Sequence, residues 1–196
     1  MVAIVDYNAG NITSVINALE RIGAIAIVTS DKNKILSADK VIFPGVGEAS
    51  SAMAELRKRD LIDLLKEIKK PFLGICLGMQ LMNSFSEEGD TPLLGLTEAP
   101  IKLFPQKRGY KIPHVGWNTI KIDPTNPLFK GIKDNSYMYF VHSYYLPSCS
   151  YAIATTEYDD LTFTSALNKD NFFGVQFHPE KSGIVGERLL ENFLCM

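Results

Sequence analysis

The sequence predicts an α/β fold: a mixed, largely parallel central sheet with helices on both faces. Three observations carry this. In the first half, short β-branched runs alternate with helical patterns at the spacing of successive βαβ units. Near residue 76 a buried strand passes into a helix with no loop between them. Between residues 100 and 177, short strand signals separated by turns predict an antiparallel extension of the same sheet.

The elements follow in order. Val2–Val5 is a first buried strand. Ile12, Val15, Ile16, Leu19 and Ile22 recur at helical spacing, and Gly23 stands where a glycine ends a helix. Ile25–Val28 and Lys40–Phe43 are the second and third strands, the latter closed by Pro44-Gly45. Residues 49–69 read as one helical stretch through Met53, Leu56, Leu61, Leu64, Leu65 and Ile68. Phe72–Ile75 is the fourth strand, and a helix runs from Leu77 to Phe85. Thr119–Ile122, Tyr137–Val141, Tyr151–Thr156, Leu161–Ala166 and Phe172–Phe177 are strands of the extension. A last helix spans Gly183 to Leu194. No Pro/Gly/Ser-rich linker interrupts the 196 residues, so residues 1–196 read as a single domain.

Composition excludes several classes. With 20 basic and 22 acidic residues the net charge is −2, which argues against a dedicated nucleic-acid binder. No apolar run approaches the roughly 20 residues of a membrane span, and Met1–Asp6 lacks the basic start of a signal peptide. Cys76, Cys149 and Cys195 are widely spaced, with no CxxC pair, so a disulfide framework is not expected and a reducing cytoplasm is.

Three places carry chemistry. Gly74-Ile75-Cys76-Leu77-Gly78 is a glycine–x–nucleophile–x–glycine turn with Cys in place of Ser. Cys76 there sits at a helix N-terminus, which favours a thiolate, and the Leu77 N–H points at a developing oxyanion. A buried structural cysteine is the competing reading. Gln176-Phe177-His178-Pro179-Glu180 follows a strand; in extended chain His178 and Glu180 share a face, and Pro179 stiffens the pair. Cysteine, histidine and carboxylate together are what thiol-based acyl transfer needs, although a histidine beside an exposed glutamate at a strand end reads the same way locally. Phe43-Pro44-Gly45-Val46-Gly47 ends the third strand and offers N–H groups to an anion, or is an ordinary Pro-Gly turn. His114, His142 and His178 lack metal-ligand spacing and no phosphate-cradling glycine motif occurs, so neither metal nor cofactor is expected. The basic runs Lys66–Lys70 and Lys102–Lys111 read as solvated surface, with Gln106-Lys107-Arg108 a possible partner contact.

Taken together, these sites resemble the class I, triad-type glutamine amidotransferases, and the resemblance spans essentially the whole chain. Within that class the chain is most similar to the glutaminase subunits of imidazole glycerol phosphate synthase. Asp6–Asn11, Phe43–Gly47, Cys76–Gln80, Pro113–Asn118 and Tyr139–Tyr144 carry the narrower likeness. The resemblance implies a flavodoxin-like three-layer fold and hydrolysis of L-glutamine to glutamate and ammonia. It implies Cys76, His178 and Glu180 as the triad, with Leu77 and the Gly45-Val46-Gly47 loop as oxyanion hole. Gly47, Gln80, Glu88, Ser143 and Tyr144 would hold glutamine, although Glu88 also reads as an exposed acid. The ammonia would pass to a (β/α)8-barrel cyclase subunit, bound as a heterodimer through Asn11, Trp117, Asn118, Tyr139 and Lys181. There it would support formation of imidazole glycerol phosphate and AICAR in histidine biosynthesis. A paralogue feeding a different acceptor synthase, or a stand-alone thiol hydrolase of the same fold, would carry the same triad.

Overall fold

The computed structural model describes residues 1–8, 10–107 and 111–196. Ala9, inside the Asp6–Asn11 stretch, and Arg108, at the end of the Gln106–Arg108 run, lie outside the described residues.

The first half runs β1 (Val2–Val5), α1 (Ile12–Arg21), β2 (Ala26–Thr29), α2 (Lys32–Ser37), β3 (Lys40–Gly45), α3 (Ala49–Lys58), α4 (Ile62–Glu67), β4 (Phe72–Cys76) and α5 (Leu77–Leu81). The second runs β5 (Phe85–Ser86), β6 (Thr91–Pro92), β7 (Pro100–Leu103), β8 (His114–Ile122), β9 (Ser136–His142), β10 (Tyr144–Pro147), β11 (Ala152–Tyr158), β12 (Leu161–Lys169), β13 (Phe172–Val175) and α6 (Gly183–Leu194). Strands β2, β1, β3, β4 and β13 lie side by side and parallel. Beyond β13 the sheet turns antiparallel through β12, then branches to β10 and to β11, β8 and β9. The mixed sheet, with its run of parallel strands and its antiparallel extension, is therefore as the sequence predicts, although the extension makes antiparallel pairings the more numerous. Among the described residues no helix is long and apolar enough to cross a membrane.

The pleat sorts side chains to two cores. Ile4, Ile42, Leu73 and Ile75 face α1 and α6, whose Val15, Leu19, Leu189, Leu190 and Phe193 close over them. Val5, Val41, Phe43 and Phe72 face the other way, against Met53, Leu56, Leu64, Leu65 and Met79. A strand covered on both faces must be apolar at every position, which is why β1 and β4 are buried throughout.

Several elements differ from expectation, each for a local reason. The 49–69 stretch breaks into α3 and α4 because Asp60 takes φ +53° and turns the chain. The helix predicted to reach Phe85 stops at Leu81. The Asn83 side-chain amide donates to the Met79 and Gln80 carbonyls, at 2.9 and 3.2 Å, satisfying them from outside the helix. Helix α2 and strands β7 and β10 were not expected; α2 is capped by Asp31, whose carboxylate accepts from the Asn33 and Lys34 N–H groups.

Candidate active site

Strand β4 lies between β3 and β13, with Cys76 in register with Gly45 and Ile75 with Val175. Cys76 is the last residue of β4 and takes φ +54°, ψ −111°, a conformation that costs a side chain energy and persists only when neighbours impose it. Three glycines impose it. A Cβ on Gly74 would lie 2.8 Å from the Gly78 carbonyl oxygen and 2.8 Å from the Met79 nitrogen. One on Gly78 would lie 1.8 Å from the Phe43 carbonyl oxygen, and one on Gly45 would lie 2.7 Å from the Gly78 nitrogen. Helix α5 thus rests directly on the backbone of β3.

This corrects the reading of Gly45. It is a buried residue of β3, not of the loop, and its missing side chain makes room for the turn at Cys76. The loop proper begins at Val46, and Gly47 takes φ +98°. Leu77, as the first residue of α5, has no intrahelical acceptor for its N–H.

His178 follows β13. It is joined to Glu180 through a 3-10 turn, Pro179–Lys181, rather than the extended chain the sequence suggested. The turn still brings the side chains together: Nδ1 lies 2.7 Å from Glu180 Oε1, and both groups are almost fully buried. The backbone of His178 is fixed as well. Its N–H donates to the Tyr139 carbonyl at 2.9 Å, and the Ser182 hydroxyl donates to its carbonyl at 2.6 Å. Since Glu180 accepts at Nδ1–H, Nε2 is the nitrogen left for chemistry; it is buried and has no hydrogen-bond partner among the described residues.

Burial pulls the His178 pKa down, but the Cys76 side chain and the Glu180 carboxylate outweigh it and raise it to about 10. Both neighbours therefore favour the protonated ring. In a Cys76→Ala variant the largest of these raising influences is gone, and ring-proton NMR should show His178 titrating at lower pH than in the wild type. An unchanged titration would mean the two side chains do not sense each other.

A cavity of about 400 Å³ opens above these residues, at the lower end of the range that holds small ligands. Cys76, Leu77 and His178 line it, as do Val46 and Gly47. Gln80, Glu88, Ser143 and Tyr144, expected with Gly47 to hold a substrate, all line it. Pro113, Val141 and His142 line it too and were not singled out, although the Pro113–Asn118 and Tyr139–Tyr144 stretches contain them. Glu88 is half-buried, and its Oε2 accepts the Ala49 N–H at 2.7 Å. Burial raises its pKa, the Ala49 N–H opposes this, and Glu48 adds to it. Glu88 is thus an anchored acid lining the cavity and not a free surface carboxylate.

The residues expected at a partner interface divide. Trp117 and Tyr139 are opposite one another on β8 and β9, with ring centroids 5.9 Å apart, and the Lys181 ammonium lies 5.9 Å from the Tyr139 ring. Trp117 is 56% exposed, and Val115 and Tyr137 are exposed on the same ribbon face. Asn11 caps α1 and lines a tight crevice behind His178 and Glu180. Asn118 does not join this face. Its amide nitrogen donates to the Glu157 carbonyl at 2.9 Å and lies 3.3 Å from His114 Nε2, because neighbouring strand residues point to opposite sides.

The family model for glutamine amidotransferase class-I matches residues 3–196. The chain is 53% identical over 194 residues to the imidazole glycerol phosphate synthase subunit HisH of Bacteroides fragilis, covering 98% of each chain. It is 48% identical over 196 residues to the HisH subunit of Yersinia pseudotuberculosis, covering 100% of this chain and 99% of that one. Its fold matches a crystal structure of a glutamine amidotransferase with a TM-score of 0.75 at 19% identity, over 99% of this chain and 97% of that one. With a family model matching nearly every residue and relatives this similar along their full length, the chain belongs to the class-I glutamine amidotransferases, in their HisH branch.

Proposed function

We propose that this chain acts as a single glutamine amidotransferase domain, residues 1–196, that hydrolyses L-glutamine and delivers ammonia to a cyclase subunit making imidazole glycerol phosphate and AICAR. The observation that carries this is the buried His178–Glu180 pair, with no partner for Nε2 among the described residues, beside a cavity that Cys76 and His178 both line.

The chemistry follows from the geometry. The Cys76 sulfur, its proton held by His178, attacks the carboxamide carbon; a C–S bond forms and the carbonyl oxygen becomes an oxyanion. The Leu77 N–H, with an N–H from Val46 or Gly47, stabilises that charge. As the C–N bond breaks, His178 gives its proton to the leaving nitrogen, and ammonia departs. Water, deprotonated by His178, then cleaves the thioester and releases glutamate. Glu180 keeps the ring oriented throughout. Gln80, Glu88, Ser143 and Tyr144 hold the substrate along the cavity wall.

Free ammonia in water near neutral pH is mostly ammonium, which is no nucleophile, so the product must leave by a shielded route. The exposed Trp117, Val115 and Tyr137, with Tyr139 and Lys181, form a face suited to a (β/α)8-barrel cyclase bound as a heterodimer. The cysteines of the chain are free thiols, in keeping with a cytoplasmic setting. Co-purification of the chain with its cyclase, followed by assay with the phosphorylated ribulosyl imidazole-carboxamide precursor and glutamine, tests the reading. Turnover of the precursor supports it; a complex that hydrolyses glutamine but leaves the precursor untouched assigns the ammonia to another acceptor. In the same complex Trp117→Ala should weaken subunit association by about tenfold or more, as loss of a central aromatic anchor does. An unchanged dissociation constant, read by titration calorimetry, would move the interface elsewhere.

A further inference from the structure

The Cys76 sulfur has a neighbour that none of the triad roles uses. Gln176 is fully buried two residues before His178, and its Nε2 lies 3.7 Å from Cys76 Sγ. Which end of that amide faces the sulfur follows from its partners. The Tyr144 carbonyl can only accept, and it takes a hydrogen bond from the His142 ring at 2.8 Å and from the Gln80 amide at 2.9 Å. Gln80 must therefore present its NH2 group there. Its other N–H reaches Gln176 Oε1 at 2.9 Å. With its oxygen held, Gln176 turns its NH2 toward the sulfur. Reversing Gln176 would set its NH2 against that of Gln80, a repulsive donor–donor contact, and would lose the hydrogen bond that holds its oxygen.

The sulfur thereby has a partner for each of its protonation states. As a thiol it donates to the Val141 carbonyl, 3.8 Å away. As a thiolate it is repelled by that oxygen and accepts from Gln176. We propose that Gln176, locked in orientation by Gln80 and the Tyr144 carbonyl, is a further catalytic residue, whose N–H supports the charged sulfur during attack. This rests on Cys76 being the nucleophile. The same geometry limits Gln80: both its N–H groups are engaged, so only its Oε1 is left to meet a substrate, and it can meet only a donor.

The test is iodoacetamide alkylation of the full chain across a pH series, followed by mass spectrometry of the Cys76 peptide, with the exposed Cys195 as internal reference. In Gln176→Met the half-maximal pH for Cys76 should move upward and the rate at pH 7 should fall about tenfold, the scale expected for a lost hydrogen bond to a charged group. Gln176→Glu keeps the size and the acceptor for Gln80 but offers oxygen to sulfur, and should shift the profile further. Glutamine turnover should lose kcat with little change in KM, and Cys195 should be unaffected in both variants. A Cys76 profile unchanged in Gln176→Glu, with near-UV circular dichroism intact, would overturn the proposal even if Gln176→Met failed to fold. A wild-type Cys76 inert at every pH would instead overturn the nucleophile reading beneath it.

Discussion

In the assembled synthase, Cys76→Ala should abolish turnover driven by glutamine and leave turnover driven by ammonium salts unchanged. The expected fall in the glutamine reaction is on the order of 10⁴–10⁶-fold, the scale seen when a covalent nucleophile is removed. The size follows from how the site is built. His178 has Nδ1 committed to Glu180, which leaves Nε2, without a partner among the described residues, as the nitrogen that can exchange a proton with the sulfur. Without sulfur there is no atom to form the acyl intermediate, and direct attack by water has no positioned nucleophile to replace it. The fold should tolerate the change, because alanine is smaller and the glycines at 45, 74 and 78 that shape the turn remain. The ammonium reaction should survive because it bypasses this chain's chemistry and needs only the acceptor site on the partner. Loss of both reactions, with subunit association intact, would place part of the acceptor chemistry on this chain and sink the division of labour. Retained glutamine turnover would remove Cys76 from the mechanism.

How far the sequence reached depends on how local the determining physics is. Strands β1, β3 and β4 were legible because burial on both faces forces unbroken apolar runs, and α1 because Val15 and Leu19 repeat at helical spacing up to Gly23. Cys76, His178 and Glu180 were legible as a set because each sits in a short motif next to a recognisable strand end. Helix α2 was not, since among its residues only Ile35 is buried and no periodic face exists to read. The early end of α5 was not, because Asn83 takes part in it through its side chain and is itself held by Thr97, 14 residues on. Gln80, Gln176 and Cys76 form one hydrogen-bonded group, yet Gln176 stands 96 and 100 residues from the other two. No window of sequence contains that relation. Gly45 shows the same limit from the other side: its motif was visible, but its role became clear only once α5 lay against it.

Of the glycines among the described residues, Gly78 is the one where an added Cβ would meet the closest contact, so Gly78→Ala should be strongly damaging. The added Cβ would lie 1.8 Å from the Phe43 carbonyl oxygen and 2.9 Å from its carbon, both backbone atoms of a central strand. Neither can rotate away as a side-chain tip would. The strand is held on both sides, to β1 and to β4, so relief must come from lifting α5 off β3. Overpacking of this kind costs typically about 1–3 kcal/mol, which for a chain of this length lowers Tm by about 2–4 °C per kcal/mol. The functional loss should be larger than the loss of stability. Lifting α5 moves the Leu77 N–H and the Cys76 sulfur together, and a displacement near 1 Å in a reacting group costs about a hundredfold in rate. Gly131→Ala is the matched control. Gly131 takes φ +76°, so alanine is strained there too, but nothing lies within 4 Å of the new Cβ. It should lose stability through backbone strain alone, about 1–2 kcal/mol, and keep full glutaminase activity in the complex. Thermal melts and glutamine turnover on the two variants separate contact from conformation. If Gly78→Ala keeps its activity as Gly131→Ala does, the close seating of α5 on β3 is not what holds Cys76 in its strained turn.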